Sequence, residues 1–77
     1  MKRLLEIIRA LHPELVISGR ERFIDDGILD SLDIVTLVTD INSEYKVRIG
    51  AEDIVKENFN SIENIIALIS RLGGEIE

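Results

Sequence analysis

The residues best equipped for chemistry lie in DDGILDSLDIV, residues 25–35. Ser31 sits there among Asp25, Asp26, Asp30 and Asp33, at the expected start of a helix. A serine hydroxyl becomes a nucleophile when a placed base takes its proton. The chain holds one imidazole, His12, and the following Pro13 puts it at a helix end, so no Ser–His–Asp arrangement is expected. Two readings of Ser31 follow from its position. As an N-cap its oxygen would satisfy a free backbone amide, worth about 1 kcal/mol. As an attachment point it would carry a phosphate-bearing group, which the dipole and free amides of a helix start favour. The neighbouring acids would repel such a phosphate somewhat, so an external basic partner explains them better.

Metal chemistry has little to work with. There is no cysteine, hence no thiolate site and no disulfide. The run IDDGILDSLD suggests a calcium loop, but counting back from Gly27 puts Arg22 and Ile24 where the first two ligands should be. Asp25, Asp26 and Asp30 retain only a capacity for weak divalent binding. No metal site is expected.

With 77 residues, the chain suffices for one small domain, expected to span residues 1–77. Its 15 acidic and 9 basic side chains give a net charge of −6. That balance argues against a nucleic-acid partner, which needs clustered Lys and Arg. It favours steering toward basic protein surfaces. The opening MKRLLEIIRAL has a signal-like look, but Glu6 and Arg9 break its apolar run and no small-residue cleavage site follows. No stretch is apolar and long enough for membrane insertion. A cytoplasmic monomer is expected.

The elements that must position Ser31 are helical. Residues 2–12 read as a helix with Leu4, Ile7, Ile8 and Leu11 on one side, ended by Pro13, with Leu15 able to extend the stripe. Residues 13–30 carry no period, but Phe23, Ile24, Ile28 and Leu29 would tie this loop to a core. Residues 31–45 are the strongest helix, with Ile34, Leu37, Val38, Ile41 and Tyr45 within an arc of about 100°. Residues 51–57 suggest a short helix followed by an inward Phe59, and residues 61–72 a last one with Ile62, Ile65, Ile66, Ile69 and Leu72 on its face. Asn60 with Glu63 suggests a capping box for it, with Ser61 the alternative cap, and Gly73–Gly74 a stop. The alternation in KVRIG suits a strand but lacks an obvious partner. The expected fold class is all-α, a bundle of three longer helices and one short one, with a long loop between the first two.

Helix 31–45 also has a second face. Leu32, Val35, Thr36 and Thr39 cover an outer arc of roughly 100°, rimmed by Asp33, Asp40 and Glu44, with Ser31 at its top. Single exposed aliphatics need no explanation. An apolar centre inside a charged rim, however, is the anatomy of a protein contact site.

These residues carry a resemblance. D-S-L-D at 30–33, opening an acidic helix after a long loop, resembles the acyl carrier protein superfamily. FIDDGILDSLDIVTLVTDINSEYKVRI is similar to the loop end, modified serine and second helix of those proteins. GAEDIVKENFNSIENIIALI is similar to their short third helix and fourth helix. The resemblance implies a four-helix carrier fold in which Ser31 is esterified by 4′-phosphopantetheine, donated from coenzyme A by a phosphopantetheinyl transferase. The arm's thiol would hold an acyl or aminoacyl group as a thioester for ligase or synthase partners. Asp30, Leu32, Asp33, Val35, Thr36 and Thr39 would be partner-contact positions, with no catalytic residue in the chain itself. Fatty-acid carriers typically have Gly-Ala before D-S-L, where this chain has Ile28–Leu29, and more glutamates along the second helix. The G-I-L-D-S run looks more like free-standing aminoacyl carriers, including D-alanine carriers of cell-wall modification, and carriers of secondary metabolism. The competing expectation is an unmodified acidic helical module that binds a basic protein.

Overall fold

The computed structural model describes residues 2–76. Helix α1 is Lys2–Leu11, α2 is Ser31–Tyr45, α3 is Lys56–Phe59 and α4 is Ile62–Arg71. A single 3-10 turn, Ala51–Asp53, precedes α3, and no strand occurs among the described residues. Three helices are long and one is short, which is the architecture that the apolar periodicity implies.

Aliphatic burial holds these helices together. Leu4, Ile7 and Ile8 of α1 meet Ile34, Leu37, Val38, Ile41 and Tyr45 of α2 and Ile62, Ile65, Leu68 and Ile69 of α4 in one core. Each fully buried aliphatic side chain contributes about 1.5–3 kcal/mol, which overrides the weak helix propensity of so many β-branched residues. On α4 the buried stripe is rotated from the expected one. Leu68 is fully buried, while Ile66 and Leu72 lie half-buried at the edge. Gly73 ends the helix in the left-handed region at φ 90°, and the Gly74 amide closes back onto the Ile69 carbonyl at 2.9 Å.

The loop from residue 12 to residue 30 is an ordered part of the core. Phe23 and Leu29 are buried, and Leu15, Ile17, Ile24 and Ile28 pack half-buried against them. The Phe23 carbonyl accepts from the amides of Ile28 (2.9 Å) and Leu29 (3.0 Å), curling the segment around itself. Gly27 makes the turn with φ 71°, a region that glycine enters without strain. Further back, the Glu21 carboxylate accepts from the Ser18 amide and hydroxyl and the Gly19 amide. The Ser18 bonds hold its pKa down at about 2.

Asn60 fixes this loop to the other half of the molecule. Its Oδ1 accepts from the amides of Ile24 (2.9 Å) and Asp25 (3.1 Å), and its Nδ2 donates to the Asp25 carboxylate at 3.0 Å. Its carbonyl accepts from the Phe23 amide at 2.7 Å. The expected Asn60–Glu63 capping box is therefore corrected: Ser61 caps α4, its Oγ accepting from the Asn64 amide at 3.1 Å. The side chain of Asn60 is committed to the loop.

The segment after α2 also departs from expectation. Residues 51–57 do not form one helix. The chain makes the 3-10 turn, runs extended at Val55, then forms α3. Asn58 explains the break, since its Nδ2 donates to the Asp53 carbonyl at 2.8 Å and occupies an acceptor that a continuous helix would use internally. The KVRIG alternation is real, with Val47 and Ile49 buried and Lys46 and Arg48 exposed. Lys46 ends α2 in the left-handed region at φ 54°, and the Asn42 Oδ1 of α2 accepts from the Ile49 amide at 2.9 Å.

Asn60→Ala removes two acceptor bonds and one donor bond in a half-buried setting. It should lower unfolding free energy by about 1–3 kcal/mol, against about 1 kcal/mol for Ser61→Ala. Urea denaturation followed by circular dichroism compares the two, and equal losses would contradict the role given to Asn60.

Candidate functional site

The acidic cluster around Ser31 resolves into side chains with separate tasks. Asp30 is the N-cap of α2: its backbone is extended and its Oδ1 accepts from the Asp33 amide at 2.8 Å. Asp33 returns the bond, its Oδ2 accepting from the Asp30 amide at 3.2 Å. This reciprocal box satisfies two donors at the helix start and places both carboxylates at the positive end of the dipole. Of the two readings of Ser31, the N-cap one is corrected on this ground. Ser31 is the first helical residue, exposed, and its hydroxyl makes no hydrogen bond among the described residues. The Ser31 and Leu32 amides likewise have no acceptor there.

Asp25 is neutralised locally. It pairs with Lys56 of α3 and accepts from Asn60, and those two bonds, Lys56 first, hold its carboxyl below the usual 3.8. Asp26 turns back to accept from the Arg22 amide at 3.2 Å. The three acids credited with weak divalent binding, Asp25, Asp26 and Asp30, are thus each engaged elsewhere. Among the described residues no group of three or more His, Cys, Asp or Glu side chains is placed to hold a metal ion.

Asp33 reaches across to α1. His12 follows the last turn of α1, its amide still bonded to the Ile8 carbonyl at 3.0 Å. Its Nε2 lies 3.0 Å from Asp33 Oδ2, and its Nδ1 lies 3.6 Å from Glu14 Oε1. The bond to Asp33 raises the His12 pKa above 6.5, burial opposing, and the same bond holds Asp33 below 3.8. His12 is thus a helix-end histidine, as expected, with a partner 21 residues away.

The outer arc of α2 is open. Leu32 is 77% exposed and Val35 59% exposed, and Asp30, Thr36 and Thr39 are exposed beside them. Asp33 differs from these five in being half-buried and engaged on two sides. Sequence reasoning overlooked Ile54 and Val55, which are exposed apolar residues entering α3. With Ile24, Ile34, Lys56 and Phe59 they line a hollow of about 130 Å³ beside the first turn of α2. Two adjacent β-branched residues in a seven-residue segment were the available signal, since a short helix cannot bury both.

Residues 2–69 match the family model described as the phosphopantetheine attachment site. The chain belongs to that family. Its cofactor is 4′-phosphopantetheine, and as a phosphopantetheine carrier domain it meets modifying and synthetic enzymes. No curated protein and no solved structure matches the chain. No described helix is long and apolar enough to cross a membrane.

The residues of this carrier domain fit such a group. An exposed, unbonded hydroxyl stands at a helix start beside two unpaired amides, a setting that favours a phosphodiester. No cysteine of the chain competes with the cofactor's thiol.

If Asp30 is the cap, Asp30→Ala should cost about 1 kcal/mol, within the range for cap removal. Ser31→Ala should change stability by no more than about 0.5 kcal/mol, as for an exposed site without a local role. Chemical denaturation of both variants decides which residue caps the helix.

Proposed function

We propose that Ser31 is the residue esterified by 4′-phosphopantetheine, and that residues 1–77 act as one carrier unit rather than as an enzyme. One observation carries this reading: in a phosphopantetheine-attachment family, the only hydroxyl at the head of α2 is left free because Asp30 takes the cap. Ser31 supplies the oxygen nucleophile. Its Oγ–P bond forms as the anhydride bond to the nucleotide half of coenzyme A breaks, and the hydroxyl proton leaves to the transferase or to solvent. The attached group supplies a thiol, which the chain lacks. Acyl or aminoacyl cargo is held there as a thioester, in a fatty-acid, polyketide, nonribosomal-peptide or D-alanine-transfer type of pathway. The carrier raises the local concentration of cargo at successive enzyme sites through its tether.

Partner contact falls to the outer arc of α2. Leu32 and Val35 form the apolar anchor, Thr36 and Thr39 extend it, and Asp30 contributes charge at its rim. Exposed acids speed encounter with basic partners, while a small apolar contact keeps residence short enough for exchange. Asp33 belongs to this rim as well, but with less freedom than the others, because it already holds His12 and the Asp30 amide. Lys56 and Asp25 form a compensated pair and add little to the field.

Incubated with coenzyme A and a broad-specificity phosphopantetheinyl transferase, the chain should gain one phosphopantetheine by intact mass, and Ser31→Ala none. A folded wild-type chain that keeps its bare mass would favour an unmodified interaction module instead. Separately, Val35→Arg should slow modification by roughly 3- to 10-fold in kcat/KM, the cost of losing one anchor side chain, with the helical circular-dichroism signal unchanged. Equal rates would remove Val35 from the contact surface.

A further inference from the structure

The most unusual feature near Ser31 lies outside the surface just described. His12 is 25% exposed and Asp33 23% exposed in their side chains, so the bond between them is partly withdrawn from water. Asp33 Oδ2 is shared: it accepts from the Asp30 amide at 3.2 Å and meets His12 Nε2 at 3.0 Å. The Asp33 amide in turn donates to Asp30 Oδ1. A continuous chain of hydrogen bonds therefore runs from the end of α1, through Asp33, to the amide and the carboxylate of the residue that precedes Ser31.

The charges facing this imidazole all have one sign. Asp33 lies against Nε2, Glu14 of the loop lies 3.6 Å from Nδ1, and Asp30 stands behind Asp33. The other neighbours in the adjoining hollow are Leu15, Val16, Gly27 and Ile28, which carry no charge. The protonated ring can donate from both nitrogens, one to each carboxylate, whereas the neutral ring has a single N–H. Asp33 is ionised in either case, so the bond is charge-assisted throughout, and the imidazolium adds a full opposite charge against it in a half-buried site. Protonation of His12 therefore tightens its hold on Asp33, and deprotonation loosens it.

We propose that His12 is a proton-dependent positioning residue for the modification of Ser31, holding Asp33 and thereby the Asp30 cap in the geometry that presents the serine. The proposal rests on Ser31 being the modified residue. His12 itself touches no reacting atom; it acts through Asp33. Two opposed effects follow from its charge. The imidazolium fixes the first turn of α2, but it also offsets one negative charge near the contact surface. Positioning dominates, because Asp33 is half-buried and the exposed Asp30 remains to steer a basic partner.

The sign with pH is fixed by the direction of the shifts. The His12 pKa in the folded chain lies above 6.5, so its contribution is full below that value and is lost as pH rises through the folded midpoint. Asp33 is held below 3.8, so its contribution is present above that value and is lost as pH falls through its own folded midpoint. The brace is strongest between the two.

The test compares wild type, His12→Gln and His12→Ala as full chains. Phosphopantetheine transfer from coenzyme A is followed by intact mass at several pH values from mildly acidic to mildly basic. Glutamine keeps a neutral N–H donor and does not titrate; alanine keeps none. At the acidic end, kcat/KM should fall in the order wild type, Gln, Ala, with Ala down about 3- to 10-fold. The ratio of wild type to Gln should approach one as pH rises through the His12 midpoint. Taking that ratio cancels the transferase's own pH dependence. The midpoint comes independently from the ring proton signals of His12, which need no assignment because it is the only histidine. A ratio that is flat with pH, or equal rates in all three chains, would overturn the proposal. So would faster modification of His12→Ala, which would mean that freeing Asp33 for partners outweighs positioning. Should His12→Ala fail to fold, the comparison of wild type with Gln still decides. A wild-type chain that takes no phosphopantetheine overturns the Ser31 reading and this one with it, whereas unchanged rates in the variants overturn this one alone.

Discussion

The reciprocal bond between Asp30 and Asp33 is the constraint on which the site depends. A helix start has free amides that need partners, and a serine at that place would ordinarily be drawn into the role. Here the residue before it takes the role, supported by an acid three positions on. The register of α2 is thereby set so that Ser31 is its first helical residue, with its hydroxyl unspent. Had the helix begun one residue later, Ser31 would be the cap and its oxygen would already be accepting a bond. Core packing turns Ile34 and Leu37 inward and Leu32 and Val35 outward, so the cap sets Ser31 at the head of the helix while burial sets its two faces.

That choice is held from outside the helix. Helix α1 packs along α2 and touches it near both ends. The Arg3 guanidinium donates to the Glu44 carbonyl at 2.7 Å and lies over the Tyr45 ring, satisfying an acceptor in the last turn. At the other end His12 holds Asp33. The remaining support comes through the loop, where Asn60, at the junction of α3 and α4, fixes Ile24 and Asp25. In so small a chain the core alone leaves little stability to spare. Polar ties between segments far apart in sequence complete the positioning that aliphatic contacts, being non-directional, cannot supply.

What the sequence disclosed, and what it did not, divides along the same line. The three long helices and the inner face of α2 were legible because each spans enough turns for a 3.6-residue period to register. The outward Leu32 and Val35 were legible by difference, once the inner arc was drawn. The Asp30 cap was legible in principle: Asp30 has an acid at the third helical position, Asp33, whereas Ser31 would have had Ile34 there. The same rule misleads at Asn60–Glu63, because the loop recruits Asn60 from 35 residues away. The His12–Asp33 bond spans 21 residues between unrelated elements and has no local signature at all. Residues 51–59 were obscure for a different reason, since a 3-10 turn and one turn of α-helix are each shorter than the period used to detect them. An attachment role for Ser31 was not readable from spacing. The D-S-L-D run and the helix order pointed to it by resemblance, and the match over residues 2–69 establishes the family.

The outer face of α2 is more apolar than its composition implies. Thr39 donates its hydroxyl to the Val35 carbonyl one turn back at 3.0 Å, so its polar atom is spent within the helix and its methyl remains as exposed surface. Next to Leu32 and Val35 this lengthens the apolar patch along the helix axis without any larger side chain. Such a patch costs the isolated chain little, since scattered exposed aliphatics are common and single ones are nearly neutral. It also gives a partner little to hold, since no aromatic or arginine anchor of the kind that dominates tight interfaces lies on it. A surface of small branched side chains behind an exposed acid is therefore suited to brief, repeated contact. That is the regime a carrier needs if it is to leave one enzyme and reach the next, and the cap at Asp30 sets Ser31 at the head of the helix that bears this patch.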